Sequence, residues 1–305
     1  MTQSQQTAAT LRDEVQQAVD TGPHRMRIGL RPLADEDWIA PQSDFDAQLR
    51  AREAILSTQD DVIIATEGSI DAQAELLALV ADHVTRYLPA HYTREGDSIH
   101  VHATGRRWPL SCADPSALRV LAALIPDDVC ILSPNSSGQY IMTAAAVCFP
   151  TRWKLRPKMG RTLMDIHGPV PEYASRIGAA MDRLFESLAV ERPLWRTNWS
   201  LLDSPALFQP VRPDRPGQAL TSSTIGASVW LRSERQTLRR LPRTQDIVFT
   251  IRIRQVSLDE ACQDPLTVKR LQTQLSTMFD ALQHYKGVHS LRPAIDEYLR
   301  ARSHE

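Results

Sequence analysis

An α+β fold built on an antiparallel sheet is what this 305-residue sequence predicts. Three observations carry the prediction: two apolar runs around "PNSSG" that read as a hairpin, three further strand-like runs after a helix, and helical patterns at both ends of the chain. With 42% hydrophobic residues the chain can bury a substantial core as one large domain or two modest ones. Its net charge of -1 exerts no global pull on nucleic acid or anionic lipid, so any electrostatic function must be local.

Taken in order, residues 1 to 22 are polar and weakly patterned, which predicts a flexible segment, and the folded region begins near "MRIGLRPL". "DAQLRAREAILST" and "DAQAELLALVADHVTRYL" predict helices, each opened by an Asp able to cap the free N–H groups of the first turn. "SIHVHATG" alternates like a short strand, and "DPSALRVLAALI" is helical again, with Asp114 and Pro115 as its start signal. "DDVCILSPNSSGQYIMTAAAVCFP" supplies the hairpin. Pro171 suits a first helical position, after which Tyr173, Ile177, Met181, Leu184 and Leu188 form one stripe.

The later strands are "WRTNWSLL", "ASVWLRSERQ" and "DIVFTIRIRQV". In the last, Ile247, Phe249, Ile251 and Ile253 share a face opposite Thr250, Arg252 and Arg254, so the sheet is expected to be dry on one side. Two helical segments, roughly 264 to 283 and 290 to 302, end the pattern. These elements describe an antiparallel sheet of about five strands with helices on one face. The expected organisation is a flexible segment at 1–22, a folded domain at 23–257 and a helical extension at 258–305. The polar stretch from Gln209 to Gly226 reads as a surface loop that could act as a lid.

Several chemistries are absent at the level of motif. There is no GxGxxG after a strand, no GxxxxGK[ST], no GxSxG and no HExxH. Cys112, Cys130, Cys148 and Cys262 have no CxxC spacing, which disfavours a disulfide framework, a zinc site or an iron–sulfur cluster and fits a reducing cytoplasm. Neither a secretion signal nor a run of eighteen apolar residues is visible, so no membrane span is expected.

Three constellations remain. In "MDIHGPVPEY" His167 precedes Gly168, Pro169 and Pro171, which restrict the backbone, and Asp165 is near enough in sequence to accept from its ring. An imidazole held this way suits an axial iron ligand; the alternative is a residue that plugs a loop-to-helix junction. In "RSERQTLRRLPR", Arg232, Arg235, Arg239, Arg240 and Arg243 surround Glu234. Guanidinium forks bind carboxylates bidentately, so the cluster could hold two propionates or an acidic partner, or it could be a solvated basic edge. Arg235 falls on the Val229 and Leu231 face, presumed to be the core side, where an unpaired charge is costly, so it should have an anionic partner. In "LWRTNWSLL", Trp195, Thr197, Trp199 and Leu201 share a face, either as core or as a wall beside a planar cofactor. His100 and His102 share a strand face, but no third metal ligand is spaced to join them.

"MRIGLRPL", "VCFPTRWKLRPKMGRTLMDIHGPVPEY", "RPLWRTNWSLLDSPALFQP" and "RSERQTLRRLPRTQDIVFTIR" resemble the heme-dependent oxidative N-demethylase family, from about residue 26 to 255. The resemblance implies a PAS-like antiparallel five-stranded sheet with flanking helices, and a heme b. It matches His167 to the proximal iron ligand and the arginine-rich segment, Arg235 foremost with Arg239 beside it, to the propionate anchor; Trp199, from the strand alternation, is the expected cofactor wall. It further implies a small secondary amine such as dimethylamine as substrate, O2 as oxidant and formaldehyde as a product. A separate reductase is implied too, with NADPH, FMN and a 2Fe-2S centre on partner subunits, together with a tetrahydrofolate-binding subunit. Glu234 would meet the amine only if its strand face proves to be the pocket side, which the strand argument above disfavours. Two other classes share these features: a heme-PAS gas or redox sensor without turnover, and an interaction protein that has lost heme.

Overall fold

The computed structural model describes residues 18–111, 117–212 and 220–303. Its strands are β1 (Arg31–Pro32), β2 (Ile63–Ala65), β3 (Tyr92–Glu95), β4 (Ser98–Val101), β5 (Arg106–Pro109), β6 (Asp128–Pro134), β7 (Tyr140–Ala146), β8 (Leu194–Leu202), β9 (Trp230–Arg240) and β10 (Ile247–Ser257). The helices are α1 (Phe45–Thr58), α2 (Ile70–Tyr87), α3 (Ala117–Leu124), α4 (Leu163–Ile166), α5 (Ala179–Ser187), α6 (Ile225–Ser228), α7 (Leu258–Ala261), α8 (Pro265–Thr277), α9 (Asp280–Tyr285) and α10 (Arg292–Arg302).

Seven strands pair antiparallel in the order β1-β8-β9-β10-β6-β7-β2, and β3-β4-β5 form a separate small sheet. The α+β class is therefore as the sequence predicts, with seven strands in the main sheet instead of five. The two additional strands lie at the edges and are two and three residues long, too short to show a period of two. The backbone is the β9–β10 ladder, paired from Trp230↔Ser257 to Arg240↔Ile247. In the β6–β7 turn the Asn135 side chain accepts from the N–H groups of Ser137 and Gln139, and Gly138 takes φ +79°.

Both faces of this sheet are covered, a departure from the single dry side. One face packs Val129, Ile131, Ala144 and Val248 against α1, α2 and α3 through Phe45, Leu49, Leu76, Leu77, Val80 and Leu121. Each Val, Leu, Ile or Phe among them, fully buried, contributes about 1.5–3 kcal/mol. The other face packs Cys130, Leu132, Leu238 and Ile247 against Leu163, Phe185 and Leu188. A third cluster joins Leu201, Leu231 and Val256 to α7, α8, α9 and α10, and Ala18 and Val19 lie in it. The residues expected to face water on β10 are buried because they have partners. Arg252 donates to Asp44 at 3.1 Å, Thr250 shares a 2.6 Å hydrogen bond with Thr237, and Arg254 donates to Gln42.

Local differences have local causes. Asp46 and Asp71 lie inside the first turns of α1 and α2 and act there as charges toward the helix dipole, since neither helix has a side-chain cap bond. The helix expected from Pro171 begins at Ala174 as a π-helical stretch to Gly178 before α5, because Glu172 sits at φ +62° and breaks the run. The C-terminal pattern at 264 to 283 divides at Met278, whose extended backbone separates α8 from α9. The start signal at Asp114 and Pro115, Cys112, most of the 1–22 segment and the centre of the Gln209–Gly226 loop lie outside the described residues. Among the described residues no helix is long and apolar enough to cross a membrane.

Candidate functional site

The one-turn helix α4 delivers His167. Thr162 caps it, accepting from Asp165 N–H, and His167 follows as its C-terminal residue. The ring of His167 packs flat on Tyr173, with centroids 4.4 Å apart and planes 10° from parallel. Its Nδ1 lies 2.9 Å from the carbonyl oxygen of Leu163. A carbonyl only accepts, so Nδ1 carries the proton and Nε2 keeps its lone pair. Burial brings the imidazole down to about 4, against the Leu163 bond and with smaller pushes from Lys158 and Arg196. The ring is therefore neutral at physiological pH, the form that binds a metal. Asp165, expected to orient the ring, instead takes the Thr162 hydroxyl, and the main chain does the orienting.

On the same face of the sheet β8 and β9 set out a polar row. Period-two alternation puts Arg196 and Asn198 opposite Gln236 and Glu234. Arg196 Nε donates to Gln236 Oε1 at 2.7 Å, Gln236 Nε2 donates to Glu234 Oε2 at 2.8 Å, and Asn198 Nδ2 donates to the same oxygen at 3.3 Å. Thr151 donates to Glu234 Oε1 at 2.7 Å. Arg196 is also pinned by Ile28 O at 3.1 Å, and desolvation depresses its pKa even though Glu234 and Tyr173 pull upward. Lys286 closes the row from the turn after α9, donating to Asn198 Oδ1 at 3.3 Å and Trp199 O at 2.5 Å. Burial brings its amine down to about 8 despite the pull of Glu234. Arg232, fully buried beneath, ties the row to neighbouring loops by donating to Phe149 O, Leu207 O, Ala206 O and Thr151 Oγ1.

The sequence-predicted cofactor residues do not gather in one place. Arg235 and Arg239 project from the opposite face of β9. Arg235 donates to Asp37 O and to Trp38 O at 3.1 Å and lies over the Trp195 ring. Its expected anionic counterpart is represented by main-chain carbonyls and by the field of Asp127, itself buried. Arg239 pairs with Asp35 and covers the Trp38 ring at 4.4 Å. Trp199 packs into the C-terminal helical cluster under Lys286, 5.5 Å from its Nζ. Trp195 joins the helix-covered face.

Glu234, by contrast, lies on the His167 side. Sequence reasoning set it aside by assuming that only the Arg235 face was covered. The alternation of "RTN" and "SERQ" already pairs Arg196 and Asn198 with Gln236 and Glu234 once the strand register is known; Lys286 had no signal of its own. His102 is engaged through Thr93 Oγ1 at 2.8 Å and Ala90 O at 3.0 Å.

The structure thus juxtaposes a neutral, main-chain-oriented imidazole with a free Nε2, two cations beside it, and a carboxylate held by three neutral donors on the same sheet face. A family described as haem-dependent oxidative N-demethylase, alpha subunit-like, matches residues 29–295.

Proposed function

The chain belongs to the heme-dependent oxidative N-demethylase alpha subunit-like family, and from that premise we propose that His167 ligates a heme b used to demethylate a small secondary amine of the dimethylamine type. The observation that carries this reading is the Nδ1 bond to Leu163 O, which leaves Nε2 as the metal-binding atom of a neutral ring. The residues fit the group in two further respects. Lys158 and Arg196 are half-buried cations that bear on His167 from its own side of the sheet, so they suit the two propionates better than Arg235 and Arg239, which project from the opposite face onto the Asp35–Trp38 segment. The five long strands β6 to β10 with helices on their faces support a PAS-like core within the larger sheet.

The net reaction is a secondary amine, O2, two electrons and two protons giving a primary amine, formaldehyde and water. Heme, when bound, supplies the O2 chemistry, and the protein supplies binding, orientation and polarity. Glu234 offers the anion that a protonated amine requires. Thr151, Asn198 and Gln236 fix both of its oxygens, so the carboxylate meets a substrate without first reorganising. Lys286, with its amine near 8, is the group on this wall able to exchange a proton close to neutral pH. The sequence has no flavin or nicotinamide fingerprint, so the reductant comes from a separate reductase subunit carrying NADPH, FMN and 2Fe-2S chemistry, and formaldehyde passes to a tetrahydrofolate-binding subunit.

The deciding experiment is a visible spectrum of purified protein reconstituted with hemin, followed by turnover with dimethylamine and a reductant. A Soret band, its loss or marked shift in His167→Ala, and amine-dependent O2 consumption with formaldehyde release are expected. An unchanged spectrum in the variant would remove His167 from the iron. Stable O2 or CO binding without amine oxidation would make the protein a sensor instead.

A further inference from the structure

Asp280, His284 and His289 meet on the surface of the C-terminal helices, away from the polar row. Asp280 opens α9 and His284 follows four residues later, so both project from one side of the helix. The chain then turns at Gly287, φ +68°, where a Cβ would also crowd Arg152 at 3.2 Å. That turn brings His289, at the start of the 3-10 turn His289–Leu291, back alongside His284. The two rings stack with centroids 3.7 Å apart and planes 24° from parallel. Asp280 Oδ2 lies 3.3 Å from His284 Nδ1, and Oδ1 lies 3.3 Å from His289 Nδ1. One ligand atom from each residue falls within 4.8 Å of the other two.

These separations are those of a coordination shell more than of a hydrogen-bonded cluster. For zinc bonds of about 2.0–2.2 Å to nitrogen and oxygen, the edge of a tetrahedron is roughly 3.3–3.6 Å. Each Asp280 oxygen spans one such edge with its own imidazole nitrogen, so a rotation of the exposed carboxylate turns one oxygen toward both rings, and both contacts exceed the usual range for a charge-assisted hydrogen bond. His284 Nδ1 also stands 3.0 Å from Asp280 O, a bond that rotation of its exposed ring would exchange for a metal. The backbone beneath is fixed, because Leu282, Val288 and Leu291 are buried in the C-terminal core. Only exposed side chains have to adjust, by rotations that cost little.

We propose that Asp280, His284 and His289 bind a divalent transition-metal ion of the zinc class, with two imidazoles, one carboxylate and a fourth position open to solvent. This donor set selects against magnesium and calcium, which take oxygen ligands. The site has a mechanical consequence. His284 and His289 bracket Lys286, whose Nζ reaches Asn198 and Trp199 O in the polar row. A metal joining the two imidazoles clamps the turn that delivers this amine.

The test titrates the full-length, chelator-treated protein with Zn2+ by calorimetry at about pH 7.5, with Mg2+ as the control ion. One saturable Zn2+ site in the micromolar range and no Mg2+ binding are expected. His284→Ala and His289→Ala should each weaken Zn2+ by at least about tenfold, while His167→Ala and His100→Ala leave that site intact. Zn2+ should also slow amide exchange across residues 280–291. The proposal fails if His284→Ala and His289→Ala bind as wild type does, if the site disappears in His167→Ala or His100→Ala, or if binding does not saturate. The readout is metal affinity, so its outcome is independent of the heme reading.

Discussion

Replacing Asp128 with Ala should destabilise the fold, and the cost follows from its partners. The carboxylate is 1% exposed and accepts from Arg52 Nη1 at 2.7 Å and from the N–H groups of Cys148 and Phe149 at 2.7 and 3.1 Å. Arg52 is itself fully buried, with its Nε on Ala122 O and its guanidinium 5.2 Å from the Phe149 ring centroid. Asp128→Ala therefore strands a buried cation and two buried N–H groups. Removing one partner of a buried pair costs about 3–5 kcal/mol. With a urea m-value of about 3 kcal/mol per molar, the unfolding midpoint should fall by about 1–2 M at unchanged slope. In the double variant Arg52→Met/Asp128→Ala no charge is stranded, so it should cost less than the sum of Arg52→Met and Asp128→Ala. A midpoint for Asp128→Ala within about 0.3 M of wild type would refute the reasoning, as would strict additivity in the double variant.

Further outcomes can be checked by simple means. The folded pKa of His167, about 4, lies below its unfolded value of 6.5, so the unfolded chain takes up the proton first. Stability of heme-free protein should be fully present above about pH 6.5 and fall toward pH 4, and His167→Phe should flatten that part of the urea-midpoint profile. For Lys286, folded near 8 against 10.5, stability should rise between those pH values, a rise absent in Lys286→Met. Gly226→Ala would drive its Cβ into the Asp259 carboxylate at Oδ1, the oxygen that accepts from Tyr298 and Arg302. A loss of about 1–3 kcal/mol in unfolding free energy is expected, and Asp259→Ala should abolish most of it. Glu234→Gln should raise the KM for a cationic amine more than tenfold while leaving the Soret band in place; an unchanged KM would remove Glu234 from substrate binding.

The long elements were readable because they repeat a period. β10 alternates apolar and polar residues from Phe249 to Arg254, and α2 carries Leu76, Leu77, Val80 and Val84 on one stripe. The edge strands were not, since Arg31–Pro32 and Ile63–Ala65 owe their pairing to neighbours across the sheet and not to their own pattern. His167 was conspicuous through the glycine and prolines beside it. Its orienting partner was not, because a carbonyl four residues back leaves no mark in side-chain sequence. The arginines misled for a different reason. A guanidinium buried under a helix-covered sheet face reads the same in sequence as one on an exposed edge, and only the partners from Asp35 to Trp38 tell Arg235 and Arg239 apart from Arg232.

The wall around Glu234 draws on Thr151, Arg196, Asn198, Gln236 and Lys286, the last more than a hundred residues beyond the first. During synthesis this wall stays incomplete until the turn after α9 has left the ribosome. Before then Leu201, Leu231 and Val256 have no helices to cover them. A chain stopped near residue 257 would accordingly emerge as an aggregation-prone fragment with an incomplete wall around Glu234. The terminal helices are thus part of the assembly of the site and not a detachable appendage.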